Sequence, residues 1–115
     1  MRTYQEWQII NPSKAELLAA CATAIRQVVP EAEVILYGSV ARGEETAESD
    51  IDLLVLVPQE VTYALERLIS DCIYEIELER EQLVSLKVRQ KQAWHSAPMR
   101  YTSLYDSIER EGVPL

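Results

Sequence analysis

Val34-Ile35-Leu36-Tyr37-Gly38-Ser39, ten residues, then Asp50-Ile51-Asp52-Leu53-Leu54-Val55-Leu56-Val57 is the stretch on which the fold turns. Val34 to Tyr37 is a short apolar run closed by Gly38, which reads as a buried strand. Ile51 to Val57 consists almost wholly of β-formers and leucine, and Pro58 stops it. A continuous apolar strand is one covered on both faces, the mark of a central position in a sheet. Between the two strands, from Val40 to Ser49, the chain turns polar and acidic. A short helix followed by an exposed loop fits that segment.

Helical patterns lie on either side. Ser13-Lys14-Ala15-Glu16 has the form of a capping box, with the serine oxygen on an orphan N–H and the glutamate reaching back. Leu17, Cys21, Ala24 and Val28 then recur at helical spacing, and Pro30 ends the run, so a helix is predicted over 14–29. Ala64, Leu65, Leu68, Ile69, Cys72, Ile73 and Ile76 predict a second long helix over about 61–78. Its end is ambiguous, because Ile73 to Glu79 also alternates with period two. Leu83 to Val88 reads as a third strand. Leu104, Tyr105 and Ile108 mark a last helix, with Gly112 after it in the position where a helix commonly stops. The order α-β-α-β-α-β-α implies an α/β layer architecture: a small mixed β-sheet flanked by helices, in one domain over 1–115.

Composition narrows the function. The chain has 115 residues, 48% of them hydrophobic and 26% charged, which is ordinary globular usage. Nineteen acidic residues against eleven basic ones give a net charge of −8. A phosphate backbone is gripped by Lys and Arg, so direct nucleic-acid binding is not expected. The charge suits solubility or docking to a basic partner. Cys21 and Cys72 sit in apolar helical surroundings and read as reduced core thiols. The single His95 argues against a histidine metal site, and its expected place is packing or surface. Met1 to Ile10 has no apolar signal-peptide core, and Leu53 to Pro58 is far short of the ~20 residues of a membrane span. A cytoplasmic protein is the expectation.

The chemistry lies in the quoted stretch. Side chains alternate along a strand, so Asp50 and Asp52 project the same way, roughly 7 Å apart at Cα. Two hard carboxylates on one side of a strand end suit Mg²⁺ or Mn²⁺. Two such metals ~3.5–4 Å apart activate an attacking hydroxyl and stabilise a leaving pyrophosphate. Gly38 permits a tight turn and close approach of a ligand. Ser39 supplies a hydroxyl at the start of a helix, where backbone N–H groups bind phosphate oxygens. One element then holds a triphosphate and the other holds the metals, both facing one cleft. The plainer reading of the two aspartates is a solvated strand rim or helix cap.

Tyr37-Gly38-Ser39-Val40-Ala41-Arg42-Gly43 followed by Ser49-Asp50-Ile51-Asp52-Leu53 closely resembles the minimal nucleotidyltransferases of the DNA-polymerase-β-like superfamily, whose G-S-x(10)-D-x-D spacing it meets to the residue. The resemblance is specific over 34–57 and continues weakly through Leu83–Trp94 and Tyr101–Leu115. It implies Gly38 and Ser39 as nucleotide-phosphate binders and Asp50 and Asp52 as catalytic metal ligands for Mg²⁺ or Mn²⁺, with ATP as substrate. It also implies a HEPN-domain ribonuclease as partner, in a toxin–antitoxin pair where the nucleotidyltransferase is the antitoxin. Some members of that group transfer AMP to a tyrosine of the toxin. Arg42, about one helical turn beyond Gly38, either touches a phosphate or pairs with a local acid.

One departure stands out. The family's third carboxylate belongs on a later strand, and Leu83-Val84-Ser85-Leu86-Lys87-Val88 contains none. If Val84, Leu86 and Val88 face the helices, Ser85 and Lys87 share the opposite face. Glu77, Glu79 and Glu81 precede the strand. Two further functional classes therefore stand beside the antitoxin enzyme: a degenerate member that neutralises its partner by binding alone, and a stand-alone transferase for a small molecule. Trp7, Trp94, Tyr101 and Tyr105 are either partner anchors or ordinary packing. Ser49 reads as a turn residue, and Glu75, Glu77 and Glu79 as a solvated helix face.

Overall fold

The computed structural model describes residues 3, 5–7, 12–44, 46 and 49–115, with the backbone alone at 12 and 13. The proposed Ser13 cap and the loop residues Glu45, Ala47 and Glu48 lie outside the described side chains. The first long helix, α1 (Pro12–Val28), starts and ends slightly earlier than its apolar spacing predicts. Leu17, Leu18, Cys21, Ala22 and Ile25 form its buried stripe. Arg26 then donates from Nε to the Ala32 carbonyl at 3.3 Å and from a terminal nitrogen to the Leu115 carbonyl at 2.7 Å. The helix end is thus tied to the last residue of the sequence.

Strand β1 (Glu33–Tyr37) runs into the short helix α2 (Gly38–Arg42), which closes at Gly43 in the left-handed region at φ 75°. Strand β2 (Ile51–Val57) returns antiparallel to β1, pairing Tyr37 with Asp52 and Glu33 with Leu56. Helix α3 (Tyr63–Arg80) is capped by the Thr62 side chain, which accepts from the Leu65 N–H. The ambiguous segment from Ile73 onward is helical to Arg80. Glu81, at φ 52°, then reverses the chain. Strand β3 (Val84–Gln90) lies parallel to β2, as a connection through a crossover helix allows.

After β3 come a short helix α4 (Lys91–Trp94), a 3₁₀ turn (Met99–Tyr101) and helix α5 (Ser103–Glu111), capped by Thr102. Gly112 follows α5 as predicted, but it is extended at φ −65°. It leads into a two-residue strand β4 (Val113–Pro114) that pairs antiparallel with β1. The sheet order is β3-β2-β1-β4. The expected small mixed sheet flanked by helices is the architecture found.

The alternation of β2 divides the core. Ile51, Leu53, Val55 and Val57 enter the larger cluster with α1 and α3, together with Val34, Leu36 and Val88. Leu54 and Leu56 turn the other way, onto Ile35, Trp94 and Ile108 under α4 and α5. All seven residues of β2 except Asp52 are buried, which accounts for its unbroken apolar sequence. Trp7 and Trp94 are both core residues, whereas Tyr101 is exposed. His95 is half-buried, with Nδ1 2.8 Å from the Tyr105 hydroxyl. Cys21 and Cys72 are free thiols, and burial foremost pushes the Cys21 thiol up to about 11. Among the described residues no helix is long and apolar enough to cross a membrane.

Candidate active site

The turn from β1 into α2 meets the mouth of β2. Gly38 has φ 79°, a backbone region that L side chains rarely adopt. The space where its β-carbon would stand is filled by the Asp52 carboxylate. Gly38 is therefore fixed twice, by its own dihedral and by the acid it faces. Ser39 follows directly and is half-buried.

Asp50 is exposed one residue before β2, and Asp52 is half-buried inside it. They flank the fully buried Ile51 and so turn to the same side. Gln82 secures this approach. It donates from Nε2 to the carbonyls of Ser49 and Leu83, each at 3.1 Å, while the Ile51 N–H bonds the Leu83 carbonyl at 3.0 Å. Lys14 in turn donates to Gln82 Oε1 at 2.9 Å, linking α1 to the site entrance. Ser49 is a turn residue, with its hydroxyl accepting from the Thr46 N–H.

Burial, and next the neighbouring Asp50 charge, hold the Asp52 carboxyl above its ordinary value of 3.8, while Lys87 and Arg42 act in the opposite sense. Two mutually repelling carboxylates, one half-buried, are a hard-oxygen donor pair that a divalent cation would relieve. The residues present therefore fit Mg²⁺ or Mn²⁺. No group of three His, Cys, Asp or Glu converges among the described residues. Those residues offer a cation Asp50 and Asp52, leaving its remaining positions to water and a ligand's oxygens.

The neighbouring strands complete the face. Tyr37 on β1 and Ser85 on β3 are both in register with Asp52. Lys87 is in register with Leu54 and Arg89 with Leu56, so Ser85, Lys87 and Arg89 all share the face of Asp52. Val84, Leu86 and Val88 turn to the helices, as their alternation predicts. The place beside Asp52 on β3 is thus taken by a hydroxyl. Glu77 accepts from the Val84 N–H through its carboxylate at 3.0 Å, fastening α3 to the start of β3. Desolvation foremost, then the Asp52 charge, pushes the Tyr37 phenol up to about 12.

Arg42 is ion-paired with two acids. Its Nε lies 3.1 Å from Glu44 Oε2 and its Nη1 lies 3.3 Å from Glu111 Oε2. A cavity of about 270 Å³ beside α2 is lined by Ala41, Arg42, Glu44, Arg110 and Glu111. The sequence pointed to Gly38, Ser39, Arg42, Asp50 and Asp52, and of these Arg42 is found in the alternative place expected for it, paired with acids. The sequence did not point to Tyr37, Gln82, Arg89 or Glu111. For Tyr37 and Arg89 the only signal available was strand alternation once the register is known.

The domain is of the α/β class, a small mixed sheet in which a glycine turn abuts an aspartate on the adjacent strand. The chain belongs to the nucleotidyltransferase domain family, whose model matches residues 18–113, from within α1 into β4. A search of curated proteins finds no match. The assignment supports a transferase acting by nucleotidyl transfer, and it is consistent with the polymerase-β-like superfamily.

Proposed function

We propose that this protein transfers a nucleoside monophosphate, AMP from ATP, to a protein hydroxyl with Mg²⁺ or Mn²⁺, and acts as the antitoxin of a HEPN-type ribonuclease. The observation that carries the transfer reading is the contact of Gly38 with Asp52, because it joins the turn that opens α2 to the carboxylates that would hold the cation. Asp50 and Asp52 would hold the cation, and Gly38 and Ser39 would receive the phosphate tail. Arg42 joins them by exchanging Glu44 and Glu111 for a phosphate. The cation, when bound, screens phosphate charge and polarises the α-phosphoryl group.

In the reaction the acceptor oxygen bonds to the α-phosphorus as the bond to the bridging oxygen of the β-phosphate breaks. Pyrophosphate leaves, and the hydroxyl proton passes to water. The partner half of the reading is supported by charge and shape. Tyr74 and Leu78 lie one turn apart on α3, both exposed, among the exposed acids Asp71, Glu75 and Glu79. An apolar contact rimmed by acids suits a partner rimmed by Lys and Arg.

Ser85 in register with Asp52 favours a second reading, an antitoxin that binds its partner without modifying it. The experiment is incubation with labelled ATP and Mg²⁺ or Mn²⁺, alone and with a HEPN protein encoded beside it. Label on a partner tyrosine, lost in Asp50→Ala, supports the enzyme. A tight complex without label moves the function to binding alone, and no complex removes the antitoxin role.

A further inference from the structure

Lys87 and Arg89 stand out in a chain of net charge −8. Arg42, Arg67, Arg80, Lys91 and Arg110 are each ion-paired with a carboxylate. Lys87 has no hydrogen bond or ion pair to any described residue, and Arg89 donates only to the adjacent Val88 carbonyl. Both lie on the face of β3 that carries Ser85, beside Asp52. Lys87 is one strand across and two residues along from Asp52, roughly 8 Å at Cα. An extended lysine spans that distance, and its charge is felt at Asp52. Lys14, Arg26 and Arg100 hydrogen-bond Gln82, the Leu115 carbonyl and Tyr101, whereas Lys87 faces the Asp50–Asp52 pair with its ammonium uncommitted to any hydrogen bond or close ion pair among the described residues.

The β3 position beside Asp52, where a third carboxylate would support a second metal, holds Ser85, and Lys87 stands two residues further along the same face. Asp50 and Asp52 give one cation two protein ligands, and Ser85 is a poor ligand for another. A triphosphate lying over Gly38 and Asp52 still needs positive charge on its β3 side. We propose that Lys87, with Arg89 beyond it, is a polyphosphate-binding residue, so that the site holds a nucleotide between one divalent cation on Asp50 and Asp52 and a fixed ammonium on β3. This rests on the transfer reading above and adds to it the number of metals and the residue standing in for the second.

The test is calorimetric binding of Mg-tripolyphosphate and of AMP to wild type, Lys87→Gln and Lys87→Arg. It is joined by Mn²⁺ stoichiometry, read by electron paramagnetic resonance with a non-hydrolysable ATP analogue. Lys87 is only half-buried, and the conservative arginine variant guards against misfolding. Lys87→Gln should weaken tripolyphosphate about tenfold, as loss of a charge-assisted contact does. It should change AMP binding by less than about twofold, and Lys87→Arg should retain most of the tripolyphosphate affinity. One Mn²⁺ should bind per chain. Equal tripolyphosphate binding by wild type and Lys87→Gln overturns the proposal while leaving the transfer reading intact, and two Mn²⁺ per chain does the same. A wild type that binds no tripolyphosphate at all overturns both. Lys87-dependent binding without any transfer overturns only the enzymatic reading.

Discussion

Gly38 and Asp52 are packed so closely that a β-carbon on residue 38 would fall on the Asp52 carboxylate, with Cγ only 3.2 Å away. Gly38→Ala must therefore move the acid or the turn, and it also forces alanine to φ 79°. The expected cost is about 1–2 kcal/mol of stability, with a larger proportional loss of Mg²⁺ affinity because Asp52 is displaced. Urea unfolding and a metal titration on the same sample check it. Unchanged metal affinity beside a lowered urea midpoint would mean that the turn yields and Asp52 stays in place.

Asp52 also makes stability depend on pH. Its carboxyl is held above 3.8 by burial and by Asp50. The folded state thus binds the proton more readily than the unfolded chain. The favourable term is fully present below pH 3.8 and is lost as pH rises through the folded value. At neutral pH without metal, Asp52 is ionised against this preference. Asp52→Asn in EDTA should raise the denaturation midpoint at pH 7, and the gain should disappear below pH 3.8. A lower midpoint at pH 7 would show that the charge is favourably paired.

Much of this site was legible because its parts are local. A glycine ending an apolar run, and aspartates flanking an isoleucine, declare turn and face from a few residues. β2 was plain because both of its faces are buried. β4 was not, since two residues ending in proline carry no period and gain their pairing only from β1. The end of α3 was hidden because Ile73 to Glu79 satisfies both a strand and a helix pattern, and packing of Ile73 and Ile76 decides between them. The Arg42–Glu111 pair joins residues far apart in sequence, so nothing near Arg42 foretold it.

That pair leads to a third prediction. Arg42 is bound to Glu44 and Glu111, exposed contacts that contribute little to stability. Arg42→Ala should leave the urea midpoint near wild type yet weaken Mg-ATP several-fold. Glu111→Gln removes one competing carboxylate and should tighten Mg-ATP. If neither variant changes nucleotide binding, Arg42 only joins α2 to α5.

Trp7 is tied to α2. It is fully buried, and its Nε1 donates to the Val40 carbonyl at 3.4 Å, inside α2. Trp7→Ala should cost about 3–5 kcal/mol, a large part of the ~5–15 kcal/mol expected of a domain. Thermal unfolding measures it. A loss below about 1 kcal/mol would show that the aromatic does not anchor α2.

The last prediction concerns Ser85, the β3 neighbour of Asp52. Ser85 is exposed, so Ser85→Asp does not disturb the core, and strand alternation keeps its side chain on the Asp52 face. The variant adds a third hard oxygen ligand beside two existing carboxylates. Without metal, a third carboxylate adds to the repulsion between Asp50 and Asp52, which Lys87 on the same face offsets only in part, and the variant should unfold at lower urea than wild type. Mg²⁺ or Mn²⁺ should restore the midpoint, because a cation that binds only the folded state stabilises it in proportion to its concentration. With metal present the variant should bind a second cation and transfer nucleotide faster, since a metal near the acceptor lowers the pKa of its hydroxyl. Metal-dependent rescue without faster transfer would place the acceptor elsewhere than over β3. No rescue by metal would show that residue 85 does not face the cation, and with it the shared face of Ser85 and Asp52 as a metal site would fall.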